Sequence, residues 1–153
     1  DQYKQIIIDN SQAFFQRPLS SIDTIYSCRK FFGVPDGAYL STDKKLDVEL
    51  EIDISKDRVE HLLGRFEGKA SDYYKNFLEV DERFYEDSIK QMSKLTRNLM
   101  GAIDYQNVLR KRNSNYSYLE KELNKFNQKK FISPKGPFCY LYFSSMFNSS
   151  ACN

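Results

Sequence analysis

Two short, β-branched apolar runs constrain this chain most. Ile6-Ile7-Ile8 ends at Asp9, and Asp23-Thr24-Ile25-Tyr26 begins 14 residues later. Ile6 to Ile8, apolar at every position, suits a strand covered on both faces, so residues 4 to 8 are predicted as a strand, and residues 23 to 26 as a second short strand. The intervening 14 residues, Pro18 among them, are long enough for the crossover that parallel strands need. A third run, Ala38 to Ser41, follows a loop holding Gly33, Pro35, Asp36 and Gly37. That connection is short and has no helical period, so the third strand is predicted to return antiparallel.

From Leu46 to Ile54 apolar and acidic residues alternate: Leu46, Val48, Leu50, Ile52 and Ile54 against Asp47, Glu49, Glu51 and Asp53. The alternation predicts an edge strand with an acidic outer face, and a solvent-exposed arm has the same pattern. Residues 57 to 128 read as helical. Asp57 and Glu60 form a candidate capping box ahead of an apolar face of Val59, Leu62, Leu63 and Phe66, and Gly68 stops that helix. Tyr73, Tyr74, Phe77 and Leu78 make a second stripe. Phe84, Ile89, Met92, Leu95, Leu99 and Met100 make a third, and a fourth runs from a candidate cap at Asp104 through Tyr105 to Phe126. After the break Ser133-Pro134-Lys135-Gly136-Pro137, residues 138 to 143 are predicted as a strand. The fold class is α/β, organised as residues 1–56, a helical segment 57–143 and an unstructured tail 144–153.

With 41% hydrophobic and 15% aromatic residues the chain has a globular composition, and a formal charge of +2 without a basic block gives no footprint for nucleic acid. Cys28, Cys139 and Cys152 show no metal-ligand or CxxC spacing and read as reduced thiols, which favours the cytoplasm. No apolar run approaches the roughly 20 residues that cross a bilayer. Both ends read as internal to a longer protein.

The chemistry-bearing residues cluster between Ile6 and Thr42. Asp9 ends one strand, Gln12 follows three residues on, and Ser27 and Lys30 follow the next strand. Parallel strands bring those ends to one sheet edge, where open α/β sheets bind ligands. A carboxylate that keeps a pyridine nitrogen protonated, a hydroxyl for a phosphate and an imine-forming lysine together suit pyridoxal phosphate (PLP).

Ile8-Asp9-Asn10-Ser11-Gln12-Ala13 resembles the Asp-x-x-Gln segment of the DegT/DnrJ-type sugar aminotransferases, which are fold-type-I PLP enzymes. Residues 26 to 40, Tyr-Ser-Cys-Arg-Lys-Phe-Phe-Gly-Val-Pro-Asp-Gly-Ala-Tyr-Leu, resemble that family's strand, Schiff-base lysine and glycine-containing turn. Arg65-Phe66-Glu67-Gly68 and Met92-Ser93-Lys94-Leu95 are similar to a branch found among bacterial surface-polysaccharide genes. The resemblance spans roughly residues 4 to 140. It departs where the family's serine stands further ahead of the lysine, and where Pro35-Asp36-Gly37-Ala38 replaces Gly-Glu-Gly-Gly.

The resemblance implies part of a large-domain sheet followed by a mostly helical segment leading into the small domain. It further implies that Asp9 faces the pyridinium nitrogen, Gln12 lies beside the 3-hydroxyl, Ser27 binds the phosphate and Lys30 carries PLP. The expected substrates are an amino-acid donor, glutamate foremost, and a nucleotide-linked keto sugar, in a homodimer whose sites are shared between subunits. The upstream half of such an enzyme is missing, so the chain alone is expected to be inactive; a silent domain that self-associates or binds a partner through its helices is the alternative. Lys30 argues against the sister enzymes that carry histidine in its place. Arg29 reads either as a charge acting on Lys30 or as a solvated neighbour, Cys28 as a buried structural thiol, His61 as exposed, and the tyrosines as core or interface.

Overall fold

The computed structural model describes residues 5–144. These residues divide into two compact units, one made of residues 5–14 and 18–103, the other of 15–17 and 104–144. The first holds a sheet in the order β1 (Ile7–Asp9), β2 (Asp23–Ser27), β3 (Ala38–Ser41). β1 and β2 pair in parallel with Ile8 opposite Thr24, and β2 pairs antiparallel with β3, Ile25 opposite Leu40. All three predicted strands are present with the predicted directions; Lys4 lies outside the described residues.

Register assigns every side chain to a face, because neighbouring residues across a ladder point the same way and successive residues alternate. One face carries Ile8, Thr24, Tyr26 and Tyr39; it is covered over β2, where Thr24 is 0% and Tyr26 7% exposed, and opens toward β3, where Tyr39 is 44% exposed. Phe14 lies against it, with its ring 6.3 Å from Tyr26, 6.2 Å from Tyr39, 5.7 Å from Phe31 and 4.9 Å from Phe32. The opposite face carries Ile7, Ile25 and Leu40, exposed at 64%, 38% and 50%. One apolar face of the sheet is therefore left bare, where the strands of a complete doubly wound sheet are covered on both faces.

Helices α1 (Glu60–Glu67), α2 (Tyr74–Glu86) and α3 (Lys94–Gly101) complete the unit. Two turns of 3-10 helix, Lys56–Arg58 and Ala70–Tyr73, precede α1 and α2. The predicted capping box is absent: the Arg58 amide closes a turn on the Ser55 carbonyl, 3.0 Å, which places Asp57 within that turn, and Val59 caps α1 without a side-chain bond. The buried stripe of α1 is His61 and Gly64, while Leu63 and Phe66 face solvent. Gly64 is required there, since a Cβ would lie 2.3 Å from the Tyr73 ring.

The third predicted stripe is broken in two. Residues 87–93 leave the helical path between α2 and α3, Ile89 is exposed, and only Met100 of that stripe is fully buried. Residues 46 to 54 form an extended arm and no strand. Gln91 is its tie point: its amide donates to Glu51 O, its side chain to Leu50 O, and its carbonyl accepts from the Asp53 amide. With a single bridge, Ile52 to Gln91, there is no sheet edge to extend.

The second unit is built on α4 (Tyr105–Leu123), capped as predicted by Asp104, whose carboxylate accepts from the Asn107 amide at 2.9 Å. Tyr116 is its buried residue and packs on Tyr140, ring centroids 5.3 Å apart. Residues 138 to 143 are not a strand. Asn127 takes their backbone groups, donating to Leu141 O and accepting from the Phe143 amide, so a side chain stands where a neighbouring strand would be needed. Apart from Ser144, the predicted tail lies outside the described residues. No helix among the described residues is long and apolar enough to cross a membrane.

Phe14 touches four rings while only half-buried, so Phe14→Ala should lower unfolding free energy by about 2 to 3 kcal/mol, less than a fully buried Phe costs. Urea denaturation should show this as a lower midpoint at unchanged slope.

Candidate functional site

Parallel pairing of β1 with β2 sends both carboxyl ends to one edge of the sheet. Asp9 stands opposite Ile25, so Ser27, two residues on, shares its face. Strand rise and spacing put their Cα atoms about 8 Å apart. The Asp9 carboxylate accepts from the Ser11 amide at 2.8 Å, forming an Asx turn, and Asn10 and Ala13 continue the turn through bonds to Ile25 O and Asn10 O. Hydrogen bonding by Ser11 holds the Asp9 carboxyl below the ordinary aspartate range. Gln12 projects from this turn into solvent. Asp9 and Ser27 thus end β1 and β2 at the same edge, and Gln12 and Lys30 each come three residues beyond.

Lys30 belongs to a loop from Cys28 to Gly37 whose ends are joined by the Cys28 amide donating to Gly37 O at 3.1 Å. The Phe31 and Phe32 amides both donate to Cys28 O. Cys28, Phe31, Val34, Pro35 and Asp36 are buried, and Lys30 and Gly33 are left outside. Cys28 is fully buried, in line with a structural thiol; burial, and then the nearby Asp36 charge, push it up to about 12. Arg29 points its charge elsewhere: it pairs with Asp81 at 3.1 Å and lies 4.3 Å from the centre of the Phe84 ring.

The residue that sequence reasoning missed is Asp36, only 3% exposed. Its carboxylate accepts from the Ser93 amide (3.0 Å), the Ser93 hydroxyl (2.6 Å) and the Thr96 hydroxyl (2.8 Å). Ser93 is the N-cap of α3, accepting in turn from the Thr96 amide, and the Ser55 hydroxyl lies 2.8 Å from that of Ser93. In an ordinary capping box an acid at the third helical position reaches back to the cap amide. Here that position holds Thr96, and an acid from a distant loop takes the place. Burial pushes the Asp36 carboxyl up, but bonds from Ser93, Thr96 and Ser55 outweigh it and hold the carboxyl below its ordinary value. The partial positive charge of the helix start acts in the same direction. Ser93, a residue type that caps helices, was the available sequence signal, hidden by an apolar period that runs on across 87–93.

A second polar cluster centres on Arg58, which is buried. Its guanidinium pairs closely with Asp53, lies 3.6 Å from Asp87, donates to Ile54 O, and sits 4.9 Å from the Phe84 ring. A cavity of about 370 Å³ adjoins it, lined by Arg29, Asp36, Asp53, Phe84 and Lys90 among others, and none of the four predicted site residues lines it. His61, predicted exposed, is 5% exposed and meets Phe77 edge-on; burial, then the charges of Arg29 and Arg65, lower its pKa. Among the described residues no cluster of His, Cys, Asp and Glu could hold a metal. Compared with protein-family models, curated proteins and solved structures, the chain matches none.

Because the folded pKa of Asp36 is depressed, its contribution is present above the unfolded value of about 4 and is lost as pH falls through the folded value. Asp36→Asn should cost about 2 to 3 kcal/mol near neutral pH and remove part of the acid-side decline. Unfolding midpoints measured between neutral pH and pH 3 check both; an unchanged acid limb would show that other carboxylates govern it.

Proposed function

We propose that this chain carries the cofactor-lysine segment of a PLP-dependent aminotransferase. The reaction moves an amino group from an amino acid, with glutamate the expected donor, to a keto sugar linked to a nucleotide. The observation that supports this reading most is the register that sets Asp9 and Ser27 on one face of the carboxyl edge, with Lys30 three residues beyond. A carboxylate, an amide, a hydroxyl and a primary amine are groups such a cofactor uses, and all four stand at, or three residues beyond, the carboxyl ends of β1 and β2.

Bound there, PLP would supply the electron sink that lets an amino group leave one carbon and join another. The chain's residues divide the remaining work. Asp9, kept ionised by Ser11, would hold a proton on the pyridine nitrogen. Gln12 would bond the 3-hydroxyl and Ser27 the phosphate. The Lys30 amine would hold the cofactor covalently and, once displaced by the incoming amine, move a proton at the carbon that exchanges the amino group. The cytoplasm and a homodimer with shared sites belong to the same proposal.

The bare face of Ile7, Ile25 and Leu40 favours a second reading, self-association of the chain, which is compatible with the first. Sedimentation velocity should show a concentration-dependent dimer that Leu40→Lys weakens; a monomer at all concentrations would remove this reading.

In an enzyme containing this segment, borohydride should fix the cofactor irreversibly on Lys30. Lys30→Ala should abolish that adduct and lower amino transfer by about 10³-fold or more, whereas an exposed lysine without a role costs little. Asp9→Asn should leave the adduct able to form while slowing turnover. Normal transfer by Lys30→Ala would sink the proposal.

A further inference from the structure

We propose that Asp36 is the positioning residue of Lys30, acting by fastening the Cys28–Gly37 loop to the first turn of α3. The assignment of a catalytic purpose rests on reading Lys30 as the cofactor lysine; the fastening itself does not. Three anchors hold the loop. The first is the closure of Cys28 on Gly37, which ties its two ends together. The second is the packing of Phe31 and Phe32 on Phe14, on the side of the loop that follows Lys30 directly.

The third is Asp36, which fixes the returning half to Ser93 and Thr96 through three hydrogen bonds. Gly37 reinforces it. Its backbone has φ +100, a Cβ there would come 2.9 Å from Met92 Cε and 3.0 Å from Thr96 Cγ2, and the loop consequently lies flush against the start of α3.

Lys30 is the loop's exposed cation, carried on the outer side of a segment whose other residues are mostly buried. A flexible lysine stem finds one bond partner repeatedly only if its backbone is held still. β2 fixes the loop at its start, and Phe14 fixes its middle from one side. β3 takes up the chain again at Ala38, and between those ends Asp36 ties the returning half to α3; the other backbone bonds described for residues 33–37 stay within the loop, from the Val34 amide to Phe32 O and from the Cys28 amide to Gly37 O. The competing account is that Asp36 merely caps α3. Thr96→Val separates the two, because it deletes one bond to Asp36 while leaving the Thr96 amide to Ser93 hydroxyl bond that caps the helix.

The test is backbone 15N relaxation and amide exchange on the 153-residue chain without cofactor, for the wild type, Asp36→Asn and Thr96→Val. In the wild type the Lys30 amide should show an order parameter near about 0.85, as for rigid backbone, and in Asp36→Asn below about 0.6. The Cys28, Phe31 and Phe32 amides should exchange about tenfold faster or more. Thr96→Val should loosen Lys30 to a lesser degree while α3 keeps its protection, and it carries the test if Asp36→Asn does not fold. Loss of protection in α3 with Lys30 unchanged would overturn the proposal, as would a Lys30 that is already mobile in the wild type. No cofactor enters these measurements, so failure of the PLP reading, which is decided by Lys30→Ala in an active enzyme, is registered separately.

Discussion

A buried carboxylate matched by hydroxyl and amide donors is the constraint on which the first unit depends. Removing a charge from water is costly unless every acceptor site is satisfied, and a partly satisfied site is worse than none. Asp36 meets this condition only if the loop after β2, the residue before the first 3-10 turn and the start of α3 arrive at one point together. The network thus works as a coincidence requirement on three segments that are far apart in sequence. Hydrophobic contacts tolerate small slips, whereas hydrogen bonds at 2.6 to 3.0 Å do not.

The aromatic packing around Phe14 has a complementary part. It fills the covered face of a sheet with very short strands, too short to be stable by their ladders alone. The same ring touches residues of β2, β3 and the lysine loop, so the strand core and the candidate site share a foundation. The Arg58 and Arg29 guanidiniums do similar work around Phe84, each with a carboxylate partner. These carboxylate pairings within the cluster tie its segments together.

What could be read from the sequence followed local pattern. Ile6 to Ile8, Asp23 to Tyr26 and Ala38 to Ser41 announced themselves by apolar β-branched or aromatic runs and by the lengths of their connections, and Asp104 by standing before a long helical period. Relations across distance were invisible. The run from Phe84 to Met100 keeps an apolar period that hides a seven-residue break, because the acid that stabilises the new helix start lies 57 residues earlier. His61 counts as polar on any helical wheel, yet it and Gly64 form the inward stripe because Tyr73 needs a glycine to close on. The alternation of 46 to 54 fitted an edge strand or an exposed arm alike, and with a single bridge it is the arm, while 138 to 143 lost its strand to the side chain of Asn127. At the candidate site the order of Asp9, Gln12, Ser27 and Lys30 was legible, and the device that holds their loop was not.

Cys28 gives the lysine loop an intrinsic gauge. Its thiol is sealed beneath the loop and, with its pKa pushed up to about 12, scarcely forms the thiolate that alkylating reagents require. While the loop is shut, this sulfur is chemically silent, in contrast to Cys139 on the surface. Each opening admits water, restores an ordinary thiol and makes the atom reactive for as long as the opening lasts. The rate at which Cys28 is alkylated would therefore report the fraction of time this thiol is uncovered, two residues from the Lys30 amine.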